Sequence, residues 1–247
     1  MIRKEPFGGV IDRSLNYGRA NMAAALARAA SAGPVSTVLD IGAGQGDDLL
    51  LARAASPGAA LHAVEVHPPY QEILRAKAIT VHGLNIERDP FPFGDQAVDV
   101  VMANQILEHV KEIFWVLHES SRVLRQGGSL LVGVPNLAAF HNRLLLLAGR
   151  QPTCLQNQSA HVRGYTKHDL LALLEGPFPG GYRLAEFSGS NFYPFPALLA
   201  RPLAAALPSM AWSIFLRFEK CRPYTREFLE HPVRHQLETN FYLGEGR

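Results

Sequence analysis

Glycines at 42, 44 and 46 follow the apolar run Val38-Leu39-Asp40-Ile41 and lead straight into Asp47 and Asp48. Glycines at such a junction let the backbone turn tightly after a strand and come close to a ligand. The spacing is G-x-G-x-G, so the third glycine arrives one residue earlier than in the dinucleotide fingerprint G-x-G-x-x-G. Asp47 and Asp48 stand where the next helix starts. Carboxylates there suit the helix dipole but repel a pyrophosphate that would use the same helix end. Both points turn the loop away from a nicotinamide dinucleotide, and no hydride-transfer constellation is recognisable elsewhere. Glu65 closes the next apolar run, 19 residues past Gly46. That is near the ~20 at which a carboxylate reaches ribose hydroxyls, and a carboxylate can accept from both at once.

A second set of residues suits acid–base work. Glu108 and His109 are adjacent and follow a later apolar run. His109 is the first candidate base, because an unperturbed imidazole titrates near neutrality, with Glu108 beside it. The bland alternative is a Glu108 that caps or pairs within its own helix and a His109 that only packs. Further polar groups gather at His141-Asn142 and at His161, Arg163 and Tyr165. His161 reads as a third catalytic candidate; His141, Asn142, Arg163, Tyr165 and Tyr193 read as acceptor contacts. The segment Asn191 to Pro196 offers apolar area with a few polar tips, the usual make-up of a small-molecule pocket. The same aromatics could instead be core or the seam of a homodimer.

The elements that must hold these residues alternate regularly. Apolar or β-branched runs at Val35–Ile41, Ala60–Val66, Ile79–Leu84, Val98–Ala103 and Ser129–Val134 read as five strands. Helical patterns fall between them at residues 16–30, 47–55, 70–78 and 105–125, the last carrying an apolar stripe from Ile106 to Leu124 that Gly127-Gly128 closes. Strands alternating with helices imply a parallel sheet covered on both faces, with ligands at the carboxyl ends of the strands. Beyond it come a Leu-rich helix at Ala138–Ala148, a helix from Thr166 to Glu175 with Thr166 as N-cap, and two more strands at Arg183–Ser188 and Trp212–Lys220. An aromatic, proline-rich segment joins those strands, and residues 222–247 give no clear pattern. The expected organisation is a single domain over 1–247: a cofactor-binding core at 34–136, a lid-like insertion at 137–165 and a C-terminal extension at 189–247.

Composition removes several function classes. The chain of 247 residues is 47% hydrophobic and 19% charged, which fits a globular protein and not a disordered one. Its net charge of +2 falls short of the clustered basic field of a nucleic-acid binder. Two distant cysteines in no C-x-x-C spacing argue against a disulfide framework or structural zinc, and fit a reducing cytoplasm. The start has no signal-peptide pattern. The apolar stretch Pro202–Leu216 is shorter than the ~18 residues of a transmembrane helix and is interrupted by Pro208.

Taken with Glu65, the glycine loop resembles motif I of the class I S-adenosylmethionine-dependent methyltransferases. Three later segments extend the resemblance in order: Asn85 to Phe93, which resembles the stretch bordering adenine; Val98 to Val110, which resembles the fourth strand and its "EHV" helix start; and Arg122 to Leu130, which resembles the "RVLxPGG" turn before the fifth strand. The subgroup is similar to the ubiquinone-type and the glycan- or natural-product-modifying enzymes. The resemblance implies a Rossmann-like, doubly wound, mostly parallel seven-stranded sheet in the order 3-2-1-4-5-7-6, with strand 7 antiparallel. It implies S-adenosylmethionine as cofactor, held by Asp40, Gly42, Gly44, Gly46, Glu65, Asn85, Ile86 and Asn104, and a hydroxyl or amine of a small molecule as methyl acceptor. Where the family usually has Asp near adenine this chain has Asn85. Ubiquinone-type enzymes carry E-x-x-E-H, proposed to hold a metal. Here Gln105 replaces the first carboxylate, so no metal is expected. The competing expectations are a catalytically silent cofactor-binding protein and an NAD-type oxidoreductase.

Overall fold

The computed structural model describes residues 13–237. Its strands are β1 Thr37–Ile41, β2 Ala60–Val64, β3 Thr80–His82, β4 Val98–Asn104, β5 Leu124–Pro135, β6 Tyr182–Ser190 and β7 Ser213–Lys220. They form one sheet in the order β3-β2-β1-β4-β5-β7-β6. The first five run parallel, and β7 lies antiparallel to both β5 and β6. This is the Rossmann-like order that the resemblance implies.

Two-residue periodicity sorts each central strand between two cores. In β4, Val98, Val101 and Ala103 join one apolar cluster, and Val100 and Met102 join the other. The helices α2 Arg19–Ala32, α3 Asp47–Ala55 and α4 Pro68–Ala76 bury Met22, Leu26, Leu49 and Leu74 on the second face. The helices α5 Ile113–Val123, α7 Lys167–Glu175 and α9 Glu227–Arg234 bury Val116, Leu170 and Phe228 on the first. Both faces of the sheet are therefore covered, as a parallel sheet requires. A short α1 Arg13–Asn16 precedes α2, and α6 Phe140–Leu147 and α8 Ala197–Ala206 complete the α-helices of the described residues. None of these is long and apolar enough to cross a membrane.

Three expectations change. The stripe over 105–125 is not one helix: a single 3-10 turn at Leu107–His109 is followed by a break, and α5 begins at Ile113. Remote groups satisfy the backbone at the break. Glu87 accepts from the N–H groups of Lys111 and Glu112, and the Arg163 guanidinium donates to the carbonyls of Val110 and Lys111. Second, β5 starts at Leu124, so Gly127 and Gly128 lie inside the strand and do not precede it. Third, the segment joining β6 and β7 contains α8, a helix despite Pro202. Proline leaves the carbonyl four residues earlier without its helical donor, and that residue, Leu198, is exposed to water. Thr166 caps α7 as expected, in a full capping box with Asp169. The expected extension over 189–247 holds β7 and α9, and its last ten residues, 238–247, lie outside the described residues.

The alternation places every candidate at one edge. The glycine loop leaves β1, Glu65 leaves β2, Asn85 leaves β3 and Glu108 leaves β4, all at the carboxyl ends of parallel strands. The chain leaving β5 starts at this edge, and so does the segment Asn191 to Pro196, because β6 runs parallel to β5 through its antiparallel neighbour.

Candidate functional site

At the glycine loop the backbone is left-handed at Gly42, Gly44 and Gly46. A Cβ at Gly42 would lie 2.7 Å from the Ile106 side chain, and one at Gly46 would lie 2.6 Å from Leu74. Only glycine fits both the torsion and the space. The N–H of Gly44 donates to Glu65 Oε2 at 2.8 Å, and the N–H of His67 donates to Oε1 at 2.8 Å. Glu65 is thus buried and fixed against the loop. Asp40 and Asp48 are buried nearby. Burial holds the Asp40 carboxyl well above the usual carboxylate range, helped by the charges of Asp48 and Glu65 and opposed by Arg19.

Arg19 was not anticipated from the sequence. Its guanidinium contacts Asp48, lies 3.3 Å from Asp47 and sits over the Tyr17 ring. Asn104 locks this arrangement, donating to Asp48 at 2.8 Å and to the Tyr17 carbonyl at 3.1 Å. The only signal was an arginine at the start of an otherwise Ala-rich helix. At the exit of β3, Asn85 Oδ1 accepts from the Glu87 N–H at 2.9 Å, which shapes the turn, and Ile86 packs on the core.

The second cluster forms because the chain after β5 folds back over the end of β4. Val162 and Arg163 donate their N–H groups to the Glu108 carbonyl at 2.8 and 3.2 Å. This brings His161 against His109, with ring centroids 4.7 Å apart. One donor atom from each of Glu108, His109 and His161 lies within 4.8 Å of the others. His109 Nδ1 lies 3.2 Å from the Ala160 carbonyl and His161 Nδ1 lies 2.9 Å from the Cys154 carbonyl. A carbonyl only accepts, so each Nδ1 carries a proton and donates it, which leaves Nε2 as the ring atom through which each histidine could bind a ligand. Burial pushes the Glu108 carboxyl up to about 8 and lowers His109 below its ordinary value. Glu108 Oε2 is buried without a hydrogen-bond partner.

The remaining candidates divide. His141 stacks on Trp212 at 4.6 Å, meets Tyr193 edge-on at 5.1 Å, and donates or accepts at Thr153 Oγ1 across 2.8 Å. Burial lowers its pKa to about 4, so it is neutral. Asn142, Arg163 and Tyr165 make hydrogen bonds within the protein. Asn142 bonds the Asn136 carbonyl and Thr153, Arg163 spans the break before α5, and the buried Tyr165 hydroxyl donates to the Leu107 carbonyl at 3.3 Å. Phe192 is buried in a small apolar cluster with α8, and Phe195 stays exposed.

Residues 39–132 match the family described as a methyltransferase domain. The chain is 31% identical over 112 residues to a 37.1 kDa protein in transposon TN4556 of Streptomyces fradiae, covering 44% of this chain and 32% of that one. It is 29% identical over 100 residues to a malonyl-[acyl-carrier protein] O-methyltransferase of Methylococcus capsulatus, covering 39% and 36%. The chain therefore spans about a third of the length of these curated relatives. Its fold is shared with the crystal structure of a 1,6-didemethyltoxoflavin-N1-methyltransferase of Burkholderia thailandensis with bound 1,6-didemethyltoxoflavin and S-adenosylhomocysteine. The TM-score is 0.55 at 18% identity, covering 85% of this chain and 82% of that one.

Proposed function

We propose that this chain, which belongs to the class I S-adenosylmethionine-dependent methyltransferases, moves the methyl group of that cofactor to a hydroxyl or amine of a small molecule. The observation that carries this reading is the shared edge: the Gly44–Glu65 clamp and the Glu108–His109–His161 cluster both stand at the carboxyl ends of the parallel strands. When bound, S-adenosylmethionine supplies its own activated leaving group. The acceptor's lone pair would form the new bond to carbon as the carbon–sulfur bond breaks, with that bond's electron pair left on sulfur and the acceptor's proton released to solvent. The chain must align the acceptor and exclude water. The glycine loop cradles the methionine end and Glu65 takes the ribose. Glu108, His109 and His161 act on the acceptor. His141 and Tyr193, with Trp212, wall it, and the loop over 137–165 covers it, positioned by Asn142, Arg163 and Tyr165. Compared enzymes modify a toxoflavin precursor in one case and a malonyl group on a carrier protein in the other, which supports a small or small-headed acceptor.

Calorimetry with S-adenosylhomocysteine and NAD+ side by side tests the cofactor; binding of NAD+ alone would overturn the reading. Incubation of the protein with trideuteromethyl-labelled S-adenosylmethionine and pooled hydroxylated and amine metabolites tests the reaction. A labelled product is expected. Tight S-adenosylhomocysteine binding with no labelled product across broad pools would favour a silent cofactor-binding protein.

A further inference from the structure

We propose that Glu108, His109 and His161 together hold a divalent transition-metal ion facing the methyl acceptor. This inference rests on the methyl-transfer reading above and specifies how the acceptor is activated. It differs from the carboxylate set of the ubiquinone-type enzymes, which Gln105 breaks. Here the third donor comes from the loop after β5, and two of the three donors are imidazoles.

Three observations carry it. The first is convergence: donor atoms from all three side chains lie within 4.8 Å of one another, with His109 Nε2 4.0 Å from Glu108 Oε1. Donors bound to one ion at about 2.1 Å each lie at most about 4.2 Å apart, so the cluster closes on an ion with a shift of under ~1 Å. The second is orientation. Metal-bound histidines donate their other ring N–H to a carbonyl or carboxylate, which fixes the tautomer and aims the free nitrogen. Both histidines do this, to Ala160 and to Cys154. Those two carbonyls belong to the loop that supplies His161, and that loop is tied to the Glu108 carbonyl by two N–H groups. One segment therefore provides a donor and the outer support for both rings. The third is the orphan carboxylate oxygen. Glu108 is 2% exposed and its Oε2 has no hydrogen-bond partner. A buried carboxylate is costly unless a proton, a cation or a metal balances it, and a metal there would lie within reach of both imidazoles.

Two imidazoles and one carboxylate select zinc, iron, manganese or cobalt over magnesium, which prefers oxygen donors and water. His109 keeps 38% of its side chain exposed, so the cluster is open to solvent and to an incoming acceptor. There an ion would take the acceptor's hydroxyl oxygen and lower its pKa; the hydroxyl proton leaves to solvent and the oxygen then attacks the methyl carbon.

The test uses the full chain, stripped with chelator and titrated with Co2+ and Zn2+ by calorimetry, with the visible spectrum of the cobalt form recorded. One equivalent should bind, with a cobalt spectrum carrying nitrogen ligation. His161→Ala and the milder His161→Gln should each weaken Co2+ by at least about tenfold, since even outer-shell changes cost 10–100-fold. S-adenosylhomocysteine affinity, measured in the same samples, should stay within about twofold and reports that the variants are folded. No stoichiometric Co2+ in the parent chain, or equal affinity in both variants, overturns the proposal. If that happens while S-adenosylhomocysteine binds and methyl transfer proceeds in excess chelator, the methyl-transfer reading stands and only the metal falls. If S-adenosylhomocysteine does not bind the parent chain, the methyl-transfer reading itself falls.

Discussion

Gly44 and Glu65 follow different strands, and the N–H of the first donates to the carboxylate of the second across 2.8 Å. The other Glu65 oxygen takes the His67 N–H, so the carboxylate clamps the loop after β1 to the exit of β2. A carboxylate has about four acceptor positions, and two remain for a pair of ribose hydroxyls.

Glu65→Ala therefore has two expected effects. Charged hydrogen bonds contribute about 1.5–3 kcal/mol each, so affinity for S-adenosylhomocysteine should fall at least about tenfold by calorimetry. In the free protein, the amides of Gly44 and His67 should exchange with deuterium faster than in the parent chain. Unchanged affinity would remove Glu65 from the ribose site; unchanged exchange would remove it as a clamp.

A ligand comparison separates a binding role for Arg19 from one in packing. Asp47 and Asp48 stand at the start of α3; with the cofactor held as proposed, its methionine carboxylate would approach there and be repelled by them. The Arg19 guanidinium lies against both acids and keeps 30% of its side chain exposed. We expect Arg19→Gln to weaken S-adenosylhomocysteine about tenfold or more while leaving 5′-methylthioadenosine, which lacks the amino-acid end, nearly unchanged. An equal loss for both ligands would mean that Arg19 only shapes the loop.

The contrast between Glu65 and Arg19 shows what a sequence makes legible here. Glycines, the acid closing β2 and the apolar runs of the central strands are local signals, and they sufficed for the parallel sheet and the glycine loop, whereas the strand order came from the family resemblance. The break before α5 was not local: Glu87 and Arg163, each more than twenty residues away, satisfy its backbone. An apolar stripe cannot report partners of that kind. α8 was hidden by Pro202, which costs little where the released carbonyl meets water. Asn142, Arg163 and Tyr165 looked like acceptor contacts because their types suit polar ligands, yet each spends its groups on backbone or neighbouring side chains. His161 could be singled out as polar, but its meeting with His109 depends on a loop path that no periodicity encodes.

Lys220 gives the last prediction, which concerns stability and pH. It ends β7, is 1% exposed, and donates through Nζ to the carbonyls of Ser121 and Leu124 at 2.7 and 2.6 Å. Burial lowers its pKa from 10.5 to about 8, with Asp95 and Glu227 pulling the other way. A neutral amine still has two N–H donors, so deprotonation keeps both hydrogen bonds and relieves the buried charge. Between about pH 8 and 10.5 the unfolded chain then binds more protons at this group than the folded chain. Its contribution to stability rises with pH across that window, by about 3 kcal/mol at most, and is flat below it. Denaturant unfolding of the parent chain and of Lys220→Met, measured from pH 7.5 to 10, isolates the group, because other lysines and the tyrosines titrate in both. The stability difference should shift toward the parent chain as pH rises. Parallel pH profiles would show that the buried ammonium keeps its proton, and that its two carbonyls suffice to hold the charge.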